Sequence, residues 1–383
     1  MNFAKSILAT VGGLAALFVV SGHAGEVNRL LRTDPVAWES DDERFSVRLG
    51  GRYQGDYAHF SEDALDHRDG YETRRLRLYL SGTVFGSWDY KAQYDFAGDG
   101  EWKDLYLAYN ALPDSYVQIG QIFEMVGLEG FTSSKNLTFI ERSLPVAFVP
   151  DRAVGVSATH WTKHWMFAAG LYGSNLRDTS DDGRGASARI AWSTQDESQT
   201  LHLGMSLARR DPDGDRHRVR TRPESHVTDT RLIDTGTLTN VDRYDTRGIE
   251  FAWVRGPLSV QHEYMQQRIS RDGSADVDLD SWYLYGAYFL TGESRNYSQK
   301  WGIFSGITPR AGHGALELGL RYSRMDLNDP GVRGGKMENW TLGLNWYLNE
   351  NLKLVLNYID SEARKEILLD RPDIFQIRLQ YVF

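Results

Sequence analysis

From Phe45 onward, apolar and polar residues alternate with a period of two. Phe45, Val47, Leu49, Tyr53 and Tyr57 share one face, and Ser46, Arg48, Arg52, Gln54 and Asp56 share the other. Successive side chains of a strand point to opposite sides, so this is the signature of an extended segment with one greasy and one wet face. The pattern returns over residues 74–85, where Leu76, Leu78, Leu80 and Val84 oppose Arg75, Arg77, Tyr79, Ser81 and Thr83. It turns at Gly86 and Ser87, then resumes with Tyr90, Ala92, Tyr94 and Phe96 against Lys91, Gln93 and Asp95, which predicts a hairpin. Segments 102–110, 116–123, 153–161, 164–173, 185–192, 200–207, 246–255 and 258–268 repeat the grammar, as do 281–290, 315–325, 339–348, 352–360 and 374–383. The set amounts to about sixteen strands of roughly ten residues, the length that crosses a membrane at a tilt.

Two stretches break the period. Residues 124–151, reading EMVGLEGFTSSKNLTFIERSLPVAFVPD, place Lys135, Glu141 and Arg142 among small hydroxyls and aromatics. That composition suits a loop folded against something. Residues 209–243 form the second interruption. Connections at 86–88, 111–114, 162–163, 256 and 349–350 are tight, and those after Tyr57, Phe123, Gly173, Leu207, Arg268, Met325 and Asp360 are longer. A barrel whose rims face different compartments shows this asymmetry. Residues 291–314 depart from it, being long on the rim that parity assigns to tight turns, and periodicity gives them no role. The expected fold is all-β, an antiparallel transmembrane β-barrel over residues 45–383. A soluble sandwich also alternates, but rarely with so many strands of this length, and only closure leaves no unpaired edge in lipid.

Composition adds a compartment. Lys5 precedes an apolar run over 7–20, followed by Gly22 and Ala24 at the positions before a cleavage site, so residues 1–24 are expected to be a secretory signal peptide and 25–44 a periplasmic lead-in. The chain has no cysteine, which excludes a disulfide scaffold or a thiolate metal site, and neither metal nor cofactor is expected. Its 11 Trp and 20 Tyr fit the aromatic girdles of a membrane barrel. Together these point to the outer membrane of a Gram-negative bacterium, with its lipid as surroundings.

Charge supplies the candidate chemistry. Parity turns Arg75 and Arg77 of the second strand, Lys91 of the third and Arg189 of the eighth inward. They can pair with Asp56, Asp95 or Asp104, as polar barrel interiors do. If the loop carrying Lys135 and Arg142 folds into the lumen, they can instead form a positive ring, the means by which pores select anions. In RRDPDGDRHRVRTR, Arg216, Arg218, Arg220 and Arg222 recur at two-residue spacing. An extended segment sets all four on one side, a ladder of planar forks suited to phosphate oxygens, or else a solvated charge run balanced by Asp211, Asp213 and Asp215. The net charge of -9 argues against a dedicated nucleic-acid binder. It leaves an anion pore intact, because selectivity is set at the constriction while Glu62, Asp63, Asp66 and Asp69 occupy a loop. No Gly-x-Ser-x-Gly, P-loop or His-Glu-x-x-His motif is present, so no enzyme is expected. Ser157, His160 and His164, near one hairpin, leave an outer-membrane hydrolase as an alternative, beside a general diffusion porin and a structural barrel.

The segments GLEGFTSSKNLTFIERSLPVAFVPDR (127–152), GAYFLTGESRNY (286–297), ALELGLRYSRMDLND (315–329) and TLGLNWYLNENLKLVLNYI (341–359) resemble, in order, those of the phosphate-selective porins of the O and P type. The resemblance covers about residues 45–383. It implies a trimeric barrel of sixteen strands with an inward-folded third extracellular loop, and passive uptake of phosphate or polyphosphate. It also implies constriction roles for Lys135 and Arg142 of that loop and for Arg75 of the wall, and a funnel made by Arg216, Arg218, Arg220 and Arg222. On that basis Lys135 and Arg142 are expected to face Arg75 and Arg77 across a narrow lumen, with Glu141 bracing Arg142. The 291–314 connection lies in the resembling region and is expected to be genuine.

Overall fold

A strand with one apolar and one polar face can bury neither alone in a membrane; closing the sheet on itself gives lipid to one and a lumen to the other. The protein does this. The computed structural model describes residues 36–61, 64–177, 183–196 and 198–383. The expected signal peptide, 1–24, and the first part of the lead-in lie outside the described residues.

The barrel is a closed ring of 16 antiparallel strands. In chain order they are β1 Ser46–Phe60, β2 Gly70–Val84, β3 Trp88–Asp95, β4 Glu101–Tyr109, β5 Ser115–Phe123, β6 Arg152–Trp161, β7 Trp165–Tyr172 and β8 Arg184–Gln195. There follow β9 Gln199–Asp211, β10 Val241–Arg255, β11 Leu258–Arg271, β12 Val277–Phe289, β13 Ala315–Asp329, β14 Val332–Tyr347, β15 Leu352–Lys365 and β16 Asp373–Val382. Each pairs with its neighbours in sequence, and β1 closes on β16 from Arg52 opposite Val382 to Phe60 opposite Ile374. A lead-in strand, Val36–Glu39, pairs with Ser46–Leu49 of β1. Leu76, Leu78 and Leu80 of β2 are exposed on the outer face, while Arg75, Arg77, Gln54 and Asp56 are buried within. Aromatic pairs mark both edges of the apolar band: Trp88 with Tyr109 (5.1 Å) at the tight-turn rim, hereafter the inner rim, and Tyr94 with Trp102 (5.2 Å) near the other, the outer rim.

Two departures from the sequence reading have physical causes. Several strands outrun the expected spans at the outer rim, most clearly β13 and β14, which continue to a turn at Pro330 and Gly331 where a longer connection was expected after Met325. Beyond lipid both faces meet water, so pairing persists while alternation fades. Residues 209–243 likewise retain order: β9 reaches Asp211, β10 starts at Val241, and Arg216–His217 pairs with Leu238–Thr239. The 291–314 connection lies on the inner rim, as the resemblance implied, and folds into the barrel as a small hairpin, Tyr297–Ser298 against Ile303–Phe304.

Of the register shifts among the described residues, two β-bulges bear on the lumen near the inward loop. Gln54 faces Arg75 but Gly55 faces Thr73, so Arg74 is an extra residue in β2. Ala92 faces Leu105 but Tyr94 faces Trp102, so Lys103 and Asp104 together oppose Gln93. A bulge re-aims side chains, and here each one turns two consecutive charged residues toward the lumen.

Replacing the lipid-facing Leu78 by Arg is expected to lower barrel stability by about 2–4 kcal/mol, whereas Gln93→Arg on the lumen face should cost far less. Urea titration of the protein folded in lipid vesicles measures both.

Candidate functional site

The loop between β5 and β6 crosses the lumen, and its course follows from where its peptide groups find partners. Glu124 forms a buried ion pair with Arg210 of β9, and the N–H of Gly127 donates to Ser206 Oγ at 3.2 Å. Gly127 has φ 73, and a side chain there would collide with Met265 and Glu263, so the chain can turn inward at this point only with glycine. The helical turn α1, Leu128–Phe131, starts on the Glu263 carboxylate of β11, which accepts from the N–H groups of Leu128 (2.6 Å) and Glu129 (2.8 Å). Further along, carbonyls of the loop accept from the opposite wall: Thr138 from Asn345, Leu137 from Lys353, Ile140 from Arg378 and Lys135 from Gln380. Arg321 of β13, fully buried, binds Glu129, Glu224 and the carbonyl of Glu141. The loop is thus fastened mainly to β9, β11 and β13–β16, with further bonds from Arg52 and Gln54 of β1 and Arg74 of β2, and the channel that remains runs along β1–β6.

That channel is a series of three adjoining chambers. The outer one, about 300 Å³, is overlooked by Arg220, Arg222 and Arg231. Arg74 and Arg142 line both it and the middle chamber, about 450 Å³. Arg52 and Lys91 line both the middle and the inner chamber, also about 450 Å³, where Lys135 appears. The middle chamber is lined by Arg52, Arg74, Arg75, Arg77, Lys103 and Arg152.

Most of these cations are neutralised locally. Arg77 pairs with Asp95 at 2.6 Å, while Lys91 (2.5 Å) and Arg152 (2.6 Å) share Asp104. Glu141 binds Arg74 (2.8 Å) and Arg378 (2.7 Å), the latter also held by Asp56, and lies 3.9 Å from Arg75. Glu141 therefore does not brace Arg142, as the sequence reading expected. Two carbonyls do so instead: Arg142 donates to Glu129 O at 3.0 Å and Thr132 O at 2.7 Å. Arg52 donates to Ser134 Oγ at 2.8 Å and Ser133 Oγ at 3.3 Å. Among the described residues neither Arg52 nor Arg142 has a carboxylate within ion-pair distance, so neutral acceptors hold both and their charge stays unbalanced. In the outer chamber Arg231 is held below its ordinary pKa by partial burial and by Arg222 and Arg220, a crowding of like charges that an anion would relieve.

The structure sorts the candidate residues. Arg75, Arg77 and Arg142 meet in the middle chamber, but Lys135 lies one chamber further in, so the loop's two cations act at different depths. Of the expected ladder, Arg216, Arg218 and Arg220 are exposed with Val219 buried behind them, as two-residue alternation requires. Only Arg220 and Arg222 overlook the outer chamber; Arg218 is committed to Asp234 (Nε–Oδ1 2.8 Å) and Arg222 also touches Asp229 at 2.7 Å. Arg189 points inward but belongs to no ring. It binds Glu250 and donates to the carbonyls of Trp301 (2.9 Å) and Gly302 (2.8 Å), pinning the 291–314 hairpin in the barrel. Gly302, at φ 58 with Met166 and Ala191 against it, permits that close approach. The hairpin then presents Trp301 to the middle chamber. Ser157 is buried within while His160 lies exposed on the other face of β6, bonded to Ser115, so Ser157 and His160 do not meet. Sequence parity could have found Arg52; Arg74 and Lys103 were hidden by the bulges, and Arg231 and Trp301 by their loops.

The sequence model of the phosphate-selective porin O and P family matches residues 47–383. Porin O of Pseudomonas aeruginosa is 27% identical over 403 residues, covering 89% of each chain. Among solved structures, an anion-selective porin from Comamonas acidovorans aligns with TM-score 0.56 at 15% identity, over 88% of this chain and 100% of its own. The outer-membrane protein OmpT of Vibrio cholerae, in a trimer form, aligns with TM-score 0.55 at 12% identity, over 88% and 99%.

Arg321→Met would strand Glu129 and Glu224 as buried carboxylates, a loss of about 3–5 kcal/mol to the loop's fastening. The expected result in a planar bilayer is a larger single-channel conductance with a weaker preference between anions and cations.

Proposed function

The chain belongs to the phosphate-selective porin O and P family of outer-membrane channels, and from that premise we propose that it passes small anions, phosphate among them, by passive diffusion along the three basic chambers. The observation that carries this reading is the pair Arg52 and Arg142, one from the wall and one from the loop, which both line the middle chamber and are held by neutral acceptors with no carboxylate within ion-pair distance. Inside a low-dielectric wall such charges act more strongly than in bulk water, so they recruit anions and repel cations. A guanidinium offers a phosphate two parallel N–H bonds. Arg220 at the outer chamber, Arg142 and Arg52 in the middle one and Lys135 at the inner one form successive sites along adjoining chambers. Passage requires this arrangement, since a single deep site would trap. Assembly as a homotrimer belongs to the same proposal; the trimer form of OmpT, which shares the fold, supports it.

Reversal potentials across a salt gradient in a planar bilayer test the path, with anion preference expected and cation preference overturning it. Added phosphate should block chloride current. Arg52→Ala and Arg142→Ala should each weaken that block by about tenfold or more, the worth of one charge-assisted hydrogen bond. A general diffusion porin would show no block in any of the three proteins.

A further inference from the structure

The middle chamber has a second wall that inorganic phosphate cannot use. Beside the guanidinium groups stand Phe123 at the end of β5, Phe131 of α1 and Trp301 of the inner-rim hairpin. Their centroids follow one another at 6.0 Å and 6.1 Å, and Trp301 meets Tyr116 of the inner chamber at 5.4 Å. If these rings only glued the loop to the hairpin, they would be buried like Phe139 (3%) and Phe148 (2%) of the same loop and Phe304 (0%) of the same hairpin. Instead Phe123, Phe131 and Trp301 are half-buried and keep ring surface on the lumen. The two walls meet where the Arg152 guanidinium lies 5.0 Å over the Phe123 ring. At about 450 Å³ the chamber has the size of a small-molecule site rather than of a single inorganic ion.

Building on the anion path proposed above, we infer that the middle chamber favours small organic anions carrying an aromatic ring, of which an aryl phosphate monoester is the representative. The anionic group takes Arg52 and Arg142, and the ring lies along Phe123, Phe131 and Trp301. Offset and edge-on ring contacts add to the charge pairing without deepening the electrostatic well, so affinity rises while release toward Tyr116 stays open.

The test compares block of chloride current by phenyl phosphate, methyl phosphate and inorganic phosphate, using the full-length protein in a planar bilayer. The readout is the ratio of half-blocking concentrations of the methyl and phenyl esters, which carry the same charge. A ratio of roughly ten is expected for the native protein. Trp301→Leu and Phe131→Leu, one on each inward-folded segment, should both bring it toward one. The inference is overturned if phenyl phosphate blocks no better than methyl phosphate, or if the ratio survives in both variants. Block by inorganic phosphate without any gain from the ring leaves the anion path standing, whereas loss of anion preference overturns the path itself.

Discussion

A segment folded inside a barrel must find a partner for every buried peptide group, and that requirement decides where the pore lies. The loop after β5 has its N–H groups taken by Ser206 and Glu263 and its carbonyls by Asn345, Lys353, Arg378 and Gln380. All of these donors and acceptors stand on β9, β11 and β14–β16. The opposite wall reaches the loop through Arg52 and Gln54 of β1, which donate to Ser134, and Arg74 of β2, which donates to Glu141. The bonds that seat the loop thus fix which basic residues face the lumen that remains.

The electrostatics follow the same division. A chain of formal net charge -9 holds a basic passage because carboxylates are spent as clamps. Asp95, Asp104 and Glu141 each hold an arginine or lysine in place and cancel its charge. Serine hydroxyls and backbone carbonyls hold Arg52 and Arg142 without cancelling theirs. The chemistry of the holding group, neutral or anionic, thus separates structural cations from those that can act on a passing ion.

Much of the fold was legible because the membrane enforces alternation: Leu76, Leu78 and Leu80 must meet lipid if Arg75 and Arg77 do not. The same periodicity fails wherever lipid is absent, which is why the outer ends of β13 and β14 and the paired residues within 209–243 were read as loop. It also fails at the bulges, since a rule of two assigns Arg74 and Arg75, or Lys103 and Asp104, to opposite faces when a bulge turns both inward. Arg189 shows a different limit: parity placed it inside correctly, but only the hairpin beneath which it lies tells that it serves as an anchor. Arg142 was legible as a loop cation, and its carbonyl cradle was not, because backbone geometry leaves no trace in composition.

Arg378 stands on β16, the final strand, and binds both Asp56 of β1 and Glu141 of the inward loop. The seam of the cylinder and the clasp of the loop are the same guanidinium. Loosening the last strand from the first would therefore also release one hold on the aperture, so the integrity of the cylinder and the shape of its opening are not independent.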